Sequence, residues 1–283
     1  MLRTTHILSE PRPLGSGPAA AVYANFSKSP AVILLLIAAA TGLYAQGFGG
    51  RGRGGPPRPP REAAPIDITG YWVSVVTEDW RFRMVTAPKG DFAGVPLNAE
   101  GRKIAGEWDQ AKDQASSDHC KAYGAPAIMR EPSRFHITWV DDNTLKIEAD
   151  HSEQTRILHF GGAVPAGTKA SIEGYSIATW QPALGGRSGR GGQGQPGAAA
   201  QRGGSLKVVT TNLTPGYLRR NGVPYSDRTT VTEYYDLPRE SQWLIVKTIV
   251  QDPQYLTEPF ITSTNLKKEA DGSKWKPTPC EVR

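Results

Sequence analysis

From Arg134 to Lys267 the chain repeats one pattern: short runs in which apolar and polar residues alternate, each closed by Gly, Pro, Asn or Asp. A period of two sends successive side chains to opposite faces of an extended strand. Phe135, Ile137 and Trp139 alternate with His136, Thr138 and Val140; Asp141-Asp142-Asn143 supplies a turn; Leu145, Ile147 and Ala149 then alternate with Lys146, Glu148 and Asp150. This pattern predicts a hairpin. Further strands are predicted over 154–160, 175–181, 206–213, 229–236, 243–251 and 260–267. With an opening strand in 70–84 the total is about eight or nine, the number at which an antiparallel sheet closes into an up-and-down barrel with room for side chains or one small ligand. The expected fold class is therefore mainly all-β, with one helix after the first strand. Asn98 caps that helix, which runs through Ile104, Trp108 and Ala111 and ends near Ser116 or Gly124.

The opening run, Gly70 to Met84, carries the densest mixture of aromatic and charged residues. Read as one strand, it puts Trp72, Ser74, Val76, Glu78, Trp80, Phe82 and Met84 on one face. An apolar face interrupted by Glu78 fits a half-open interior that holds a ligand. The alternative is a bulge or turn at Thr77-Glu78-Asp79, which divides the run and returns Glu78 to solvent.

Ahead of this region, residues 30–44 contain Ala-Val-Ile-Leu-Leu-Leu-Ile-Ala-Ala-Ala, with Lys28 before it and Ala45 after it. A basic flank, a short apolar core and a small residue at the cut describe a secretory signal peptide, with cleavage near Ala45 and a secreted or periplasmic destination. The core is short for a bilayer, so no membrane span is expected after cleavage. The segment 46–65 is a Gly/Arg/Pro tether, and 185–204 repeats its character as a long loop inside the 66–283 domain. Most of the formal charge of +6 resides in the leader and tether: residues 1–65 hold seven Lys and Arg against two Asp and Glu, and the remainder holds 26 against 25. A near-neutral domain lacks the electrostatic footprint of a nucleic-acid binder, so no nucleic-acid partner is expected. Cys120 and Cys280 are the two cysteines of an exported chain and are expected to form one disulfide that pins the C-terminal tail. The alternative, a metal held by His119-Cys120, lacks a second pair at ligand spacing, and no metal is expected.

No Gly-x-Ser-x-Gly elbow, His-Glu-x-x-His, Walker loop or Cys-x-x-Cys occurs. Catalysis is left open and no cofactor is indicated. His136 and His159 fall on neighbouring predicted strands, and Arg156 shares the strand of His159 at odd spacing, on its opposite face. Facing inward, the histidines with Glu78 have the chemistry to hold an anion or move a proton; facing outward, they are structural. Trp72, Trp80, Trp139 and Trp180 suit stacking on a flat ligand or packing in a core. Glu78, Trp80, Arg81, His136, Arg156 and His159 are the candidate ligand-binding residues.

Gly70-Tyr71-Trp72 resembles the Gly-x-Trp that opens the first strand of lipocalins and related calycin barrels. That resemblance implies a Trp72 that plugs the barrel base and a basic residue after the last strand, Lys267 or Lys268, packed on it. The helix position departs from that family, where it lies near the C-terminus, and the usual Arg is absent. Thr69-Gly-Tyr-Trp-Val-Ser-Val-Val-Thr-Glu-Asp-Trp-Arg81, Asn221-Gly-Val-Pro-Tyr225, Asp252-Pro-x-Tyr-Leu-Thr-x-Pro-Phe260 and Pro277-x-Pro-Cys280 resemble a family of secreted bacterial proteins of unknown function, over the whole of 66–283. The leading functional expectation is a barrel that binds a small, partly apolar molecule in or at the mouth of its lumen. The alternatives are a barrel enzyme that uses Glu78 and a histidine on an envelope metabolite, and a non-catalytic envelope scaffold. Oligomeric state is not encoded in these patterns.

Overall fold

The computed structural model describes residues 58–116, 119–183, 203–238 and 242–282. The signal-peptide expectation at 30–45 lies outside the described residues, as do most of the tether and most of the 185–204 loop. No described helix is long and apolar enough to cross a membrane.

Nine strands form a closed barrel in the order β1-β11-β10-β9-β6-β5-β4-β3-β2. They are β1 (Gly70–Val75), β2 (Arg134–Asp141), β3 (Thr144–Ala149), β4 (Thr155–Phe160), β5 (Tyr175–Pro182), β6 (Gly204–Thr211), β9 (Thr230–Asp236), β10 (Trp243–Gln251) and β11 (Phe260–Lys268). Two short strands, β7 (Gly216–Arg219) and β8 (Val223–Tyr225), pair with each other outside the barrel. Directions cannot alternate around a closed ring of nine, so one neighbouring pair must run parallel. That pair is β4 and β5, with Leu158 opposite Ser176, and every other barrel pair is antiparallel. Closure comes from β1, where Trp72 lies opposite Lys268 of β11 and Phe135 of β2.

The opening run is one strand only as far as Val75. Asp79 takes a left-handed conformation (φ 49°), and a single helical turn, α1 (Trp80–Arg83), follows. The division at 77–79 is thus observed, and the second half is helical, so Trp80 and Met84 leave the face they would share with Trp72. The expected single helix is also two. Asn98 does cap α2 (Ala99–Glu107), through the Gly101 amide at 2.8 Å, but Trp108 is extended and Asp109 caps a new helix, α3 (Gln110–Ala115). Trp108 leaves the helical path to pack on Gly222 and to donate its Nε1–H to Asp113 at 2.8 Å.

Alternation fills the lumen. One core gathers Trp72, Phe135, Ile137, Leu145, Leu158, Leu206, Tyr235, Leu244 and Leu266. A second gathers Val231, Val250 and Phe260 from the opposite end with Leu97, Ala105, Leu213, Leu218 and Val223 of the connecting segments. Fully burying an aliphatic or aromatic side chain contributes about 1.5–3 kcal/mol, so these cores dominate the stability of the barrel. The Cys120–Cys280 disulfide forms as expected, across a separation of 160 residues. It fixes the tail beside Tyr123, whose hydroxyl donates to the Glu281 carbonyl at 2.6 Å. In the chain-entropy account a loop of that length is worth on the order of 4–5 kcal/mol.

Candidate functional site

The six residues singled out from sequence do not converge. Glu78 lies in the turn after β1 and ion-pairs with Arg83; Trp80 is 66 % exposed on α1; Arg81 pairs with Asp91. His136 stands on the outer face of β2, stacked 4.1 Å from Tyr71, edge-on to Trp275 and 3.4 Å from Glu148. His159 stands on the outer face of β4, stacked 4.5 Å from Tyr175. Glu78 and the histidines have separate partners, so the proton-transfer pair is not assembled. Arg156 alone points into the lumen, as its odd spacing from His159 requires.

Inside the barrel Arg156 is held by its two terminal nitrogens. Its Nη1 and Nη2 donate to Oε1 and Oε2 of Glu233 at 3.0 and 2.6 Å, and Nη2 also donates to Thr210 Oγ1 at 3.2 Å. Thr210 in turn hydrogen-bonds Ser176 at 2.7 Å. Burial alone would lower the guanidinium pKa, but the Glu233 carboxylate overcomes it and the net shift is upward. Burial, then Glu233, raises the Tyr235 phenol. A second carboxylate, Glu173, lies 3.6 Å from Arg156 Nε. Burial pushes it up to about 8, against the opposing field of Arg156 and with the Glu233 charge adding to the rise. This arrangement neutralises a buried charge and occupies the middle of the lumen with side chains.

A larger open space lies at one end. Trp139, Phe160 and Trp180 are the last inward-facing residues of β2, β4 and β5, and their rings meet at centroid distances of 5.4, 5.4 and 6.5 Å. A strap from Arg58 to Thr69 crosses this end, tied down by Trp180 Nε1 donating to the Pro60 carbonyl at 2.8 Å. Between strap and barrel is a cleft of about 780 Å³, whose lining includes Trp139, Trp180, Arg58, Arg61, Glu62 and Asp67. Beside it Trp72 closes the lumen: its Nε1 donates to the Ile68 carbonyl at 2.9 Å, and Lys268 Nζ lies 4.4 Å from the ring centroid while donating to the Thr69 carbonyl. Burial lowers the Lys268 pKa, against the opposing field of Asp67.

The chain matches no family model, no curated protein and no solved structure.

The site must therefore be read from chemistry alone. A half-open cleft of this size, with two indole faces as one wall and a few charged groups at the rim, lies within the range of small-molecule sites. Trp139 and Trp180 were visible in the sequence as indoles suited to stacking. Phe160 and the strap were not, because only register brings the ends of β2, β4 and β5 to one place.

Proposed function

We propose that the protein is an exported, lipocalin-like barrel that binds a small, flat, partly apolar molecule at the aromatic end of the barrel. The observation that carries this reading is the coincidence of the largest described cleft with exposed faces of Trp139 and Trp180. A ligand stacked there gains dispersion and ring–ring contact on one side, while Arg58, Arg61 and Glu62 receive its polar groups. The disulfide supports export, since such bonds persist in oxidising compartments. Lys268 over Trp72 supports the calycin-like reading of the first strand. The filled lumen favours the mouth over the interior as the ligand position.

The test is a titration of the full chain with an anilinonaphthalene sulfonate, a flat apolar body with one charged group, read by tryptophan quenching and energy transfer. Saturable binding is expected, with Trp139→Ala and Trp180→Ala each weakening it about three- to tenfold, and Trp80→Ala leaving it unchanged. Binding that survives both cleft substitutions, or that is lost with Trp80→Ala, overturns the assignment.

A further inference from the structure

The opposite end of the barrel buries an arginine cluster that the aromatic cleft does not involve. Residues 76–95 fold over this end, and Arg83 of that segment, with Arg130, Arg219 and Arg220 beneath it, are each at most 8 % exposed. Three have acidic partners: Arg83 pairs with Glu78, Arg130 Nη2 with Asp79 Oδ2 at 3.0 Å, and Arg220 Nε lies 3.8 Å from Glu131. Arg219 has a backbone carbonyl, that of Ala93 at 2.8 Å, and the face of Phe82 at 3.8 Å. Among the described residues it has no ion-pair partner. Its Nε and the Nη1 of Arg130 are buried without a hydrogen-bond acceptor among the described residues. Both guanidiniums lie against the same ring, Phe260, at 5.6 Å for Arg130 and 5.8 Å for Arg219.

A buried cation with no carboxylate in contact is costly, and a buried donor without an acceptor adds to the cost. Guanidinium donors also present the fork geometry that suits carboxylate and phosphate oxygens. We propose that this end of the barrel is a binding site for a small oxyanion, a carboxylate or phosphate group, held between Arg130 and Arg219 under the 76–95 segment. The balance at Arg219 agrees: burial first, and then the field of Arg130, push its pKa down to about 10 against the opposing fields of Asp79 and Asp91. An anion at the site removes that deficit. Gly90 (φ 85°) and Gly94 (φ 78°) give the covering segment left-handed turns that ordinary side chains resist, which suits a segment that must fold back on itself over a charged floor.

The experiment measures thermal unfolding of the full chain in sodium phosphate, sodium acetate and sodium chloride at matched ionic strength, with phosphorus relaxation of inorganic phosphate as a direct binding readout. Phosphate or acetate is expected to raise the melting temperature saturably above chloride, and whichever of them does so identifies the anion class. Arg219→Met, which keeps the packed stem, is expected to raise the apparent Kd at least tenfold, while its stability in chloride equals or exceeds that of the parent. Arg130→Gln is expected to weaken binding likewise. Equal melting temperatures in all three salts, or an increment that persists undiminished in folded Arg219→Met, overturn the proposal. Should Arg219→Met fail to fold in chloride, Arg219 is shown to be structural, and the proposal falls with it.

Discussion

Arg156 reaches Glu233 through both terminal nitrogens and leaves only its Nε toward Glu173. One guanidinium is thus shared by two carboxylates, and the less well placed one has its pKa raised. The side chain of Glu173 is 15 % exposed, but its two oxygens are shielded and lack hydrogen-bond partners among the described residues. Its folded pKa of about 8 stands above an ordinary 4.5. Between those values the folded chain binds more protons than the unfolded one, so stability from this group is complete below the ordinary value and is lost as pH rises toward the folded value. Urea unfolding from about pH 5 to about pH 8 is expected to show a declining stability that Glu173→Gln flattens; parallel curves for the two proteins contradict the assignment. Part of this network was legible. Arg156 falls in the inward phase of its strand with Leu158, and Glu233 in that of Val231 and Tyr235. Glu173 was not, because it lies in the crossover before β5, where no period of two fixes a face.

At the scale of elements, alternation placed β2 through β6 and β9 through β11 within a few residues, since each strand there has one face in the core. It could not give direction. The parallel β4–β5 pair follows from closing an odd ring and leaves no mark on the alternation itself. The 70–84 run misleads for a different reason: its second half has the composition of a strand, but Asp79 turns it into α1, and that turn brings Arg83 beneath the cap. The break between α2 and α3 is set by a tertiary contact. A Cβ at Gly222, which joins β7 to β8 at φ 80°, would run into the Trp108 ring. Gly222→Ala is therefore expected to cost about 2–4 kcal/mol, from the left-handed backbone together with displacement of a packed indole. Chemical denaturation measures it, and a loss under about 0.5 kcal/mol shows that Trp108 moves freely.

At the scale of the whole described domain, the barrel is sealed at three levels: by Trp72 with Lys268, by Arg156 with Glu233, and by Phe260 with the arginines above it. The disulfide fastens the tail along the outside, against the segment around Tyr123. A barrel filled in this way leaves its ends for the proposed binding, and the cleft at the aromatic end is about 780 Å³. The half-open interior expected from sequence rests on Glu78 interrupting an inward face, and Glu78 never joins that face because β1 ends at Val75. The most direct test is a crystal structure of the full chain soaked with a brominated naphthalene sulfonate, in which anomalous scattering locates the bromine without ambiguity. The account predicts a single strong peak within about 4 Å of the Trp139 or Trp180 ring, with Arg156 and Glu233 still paired; a peak between Arg156 and Glu233, or no peak at that end at saturating concentration, contradicts it.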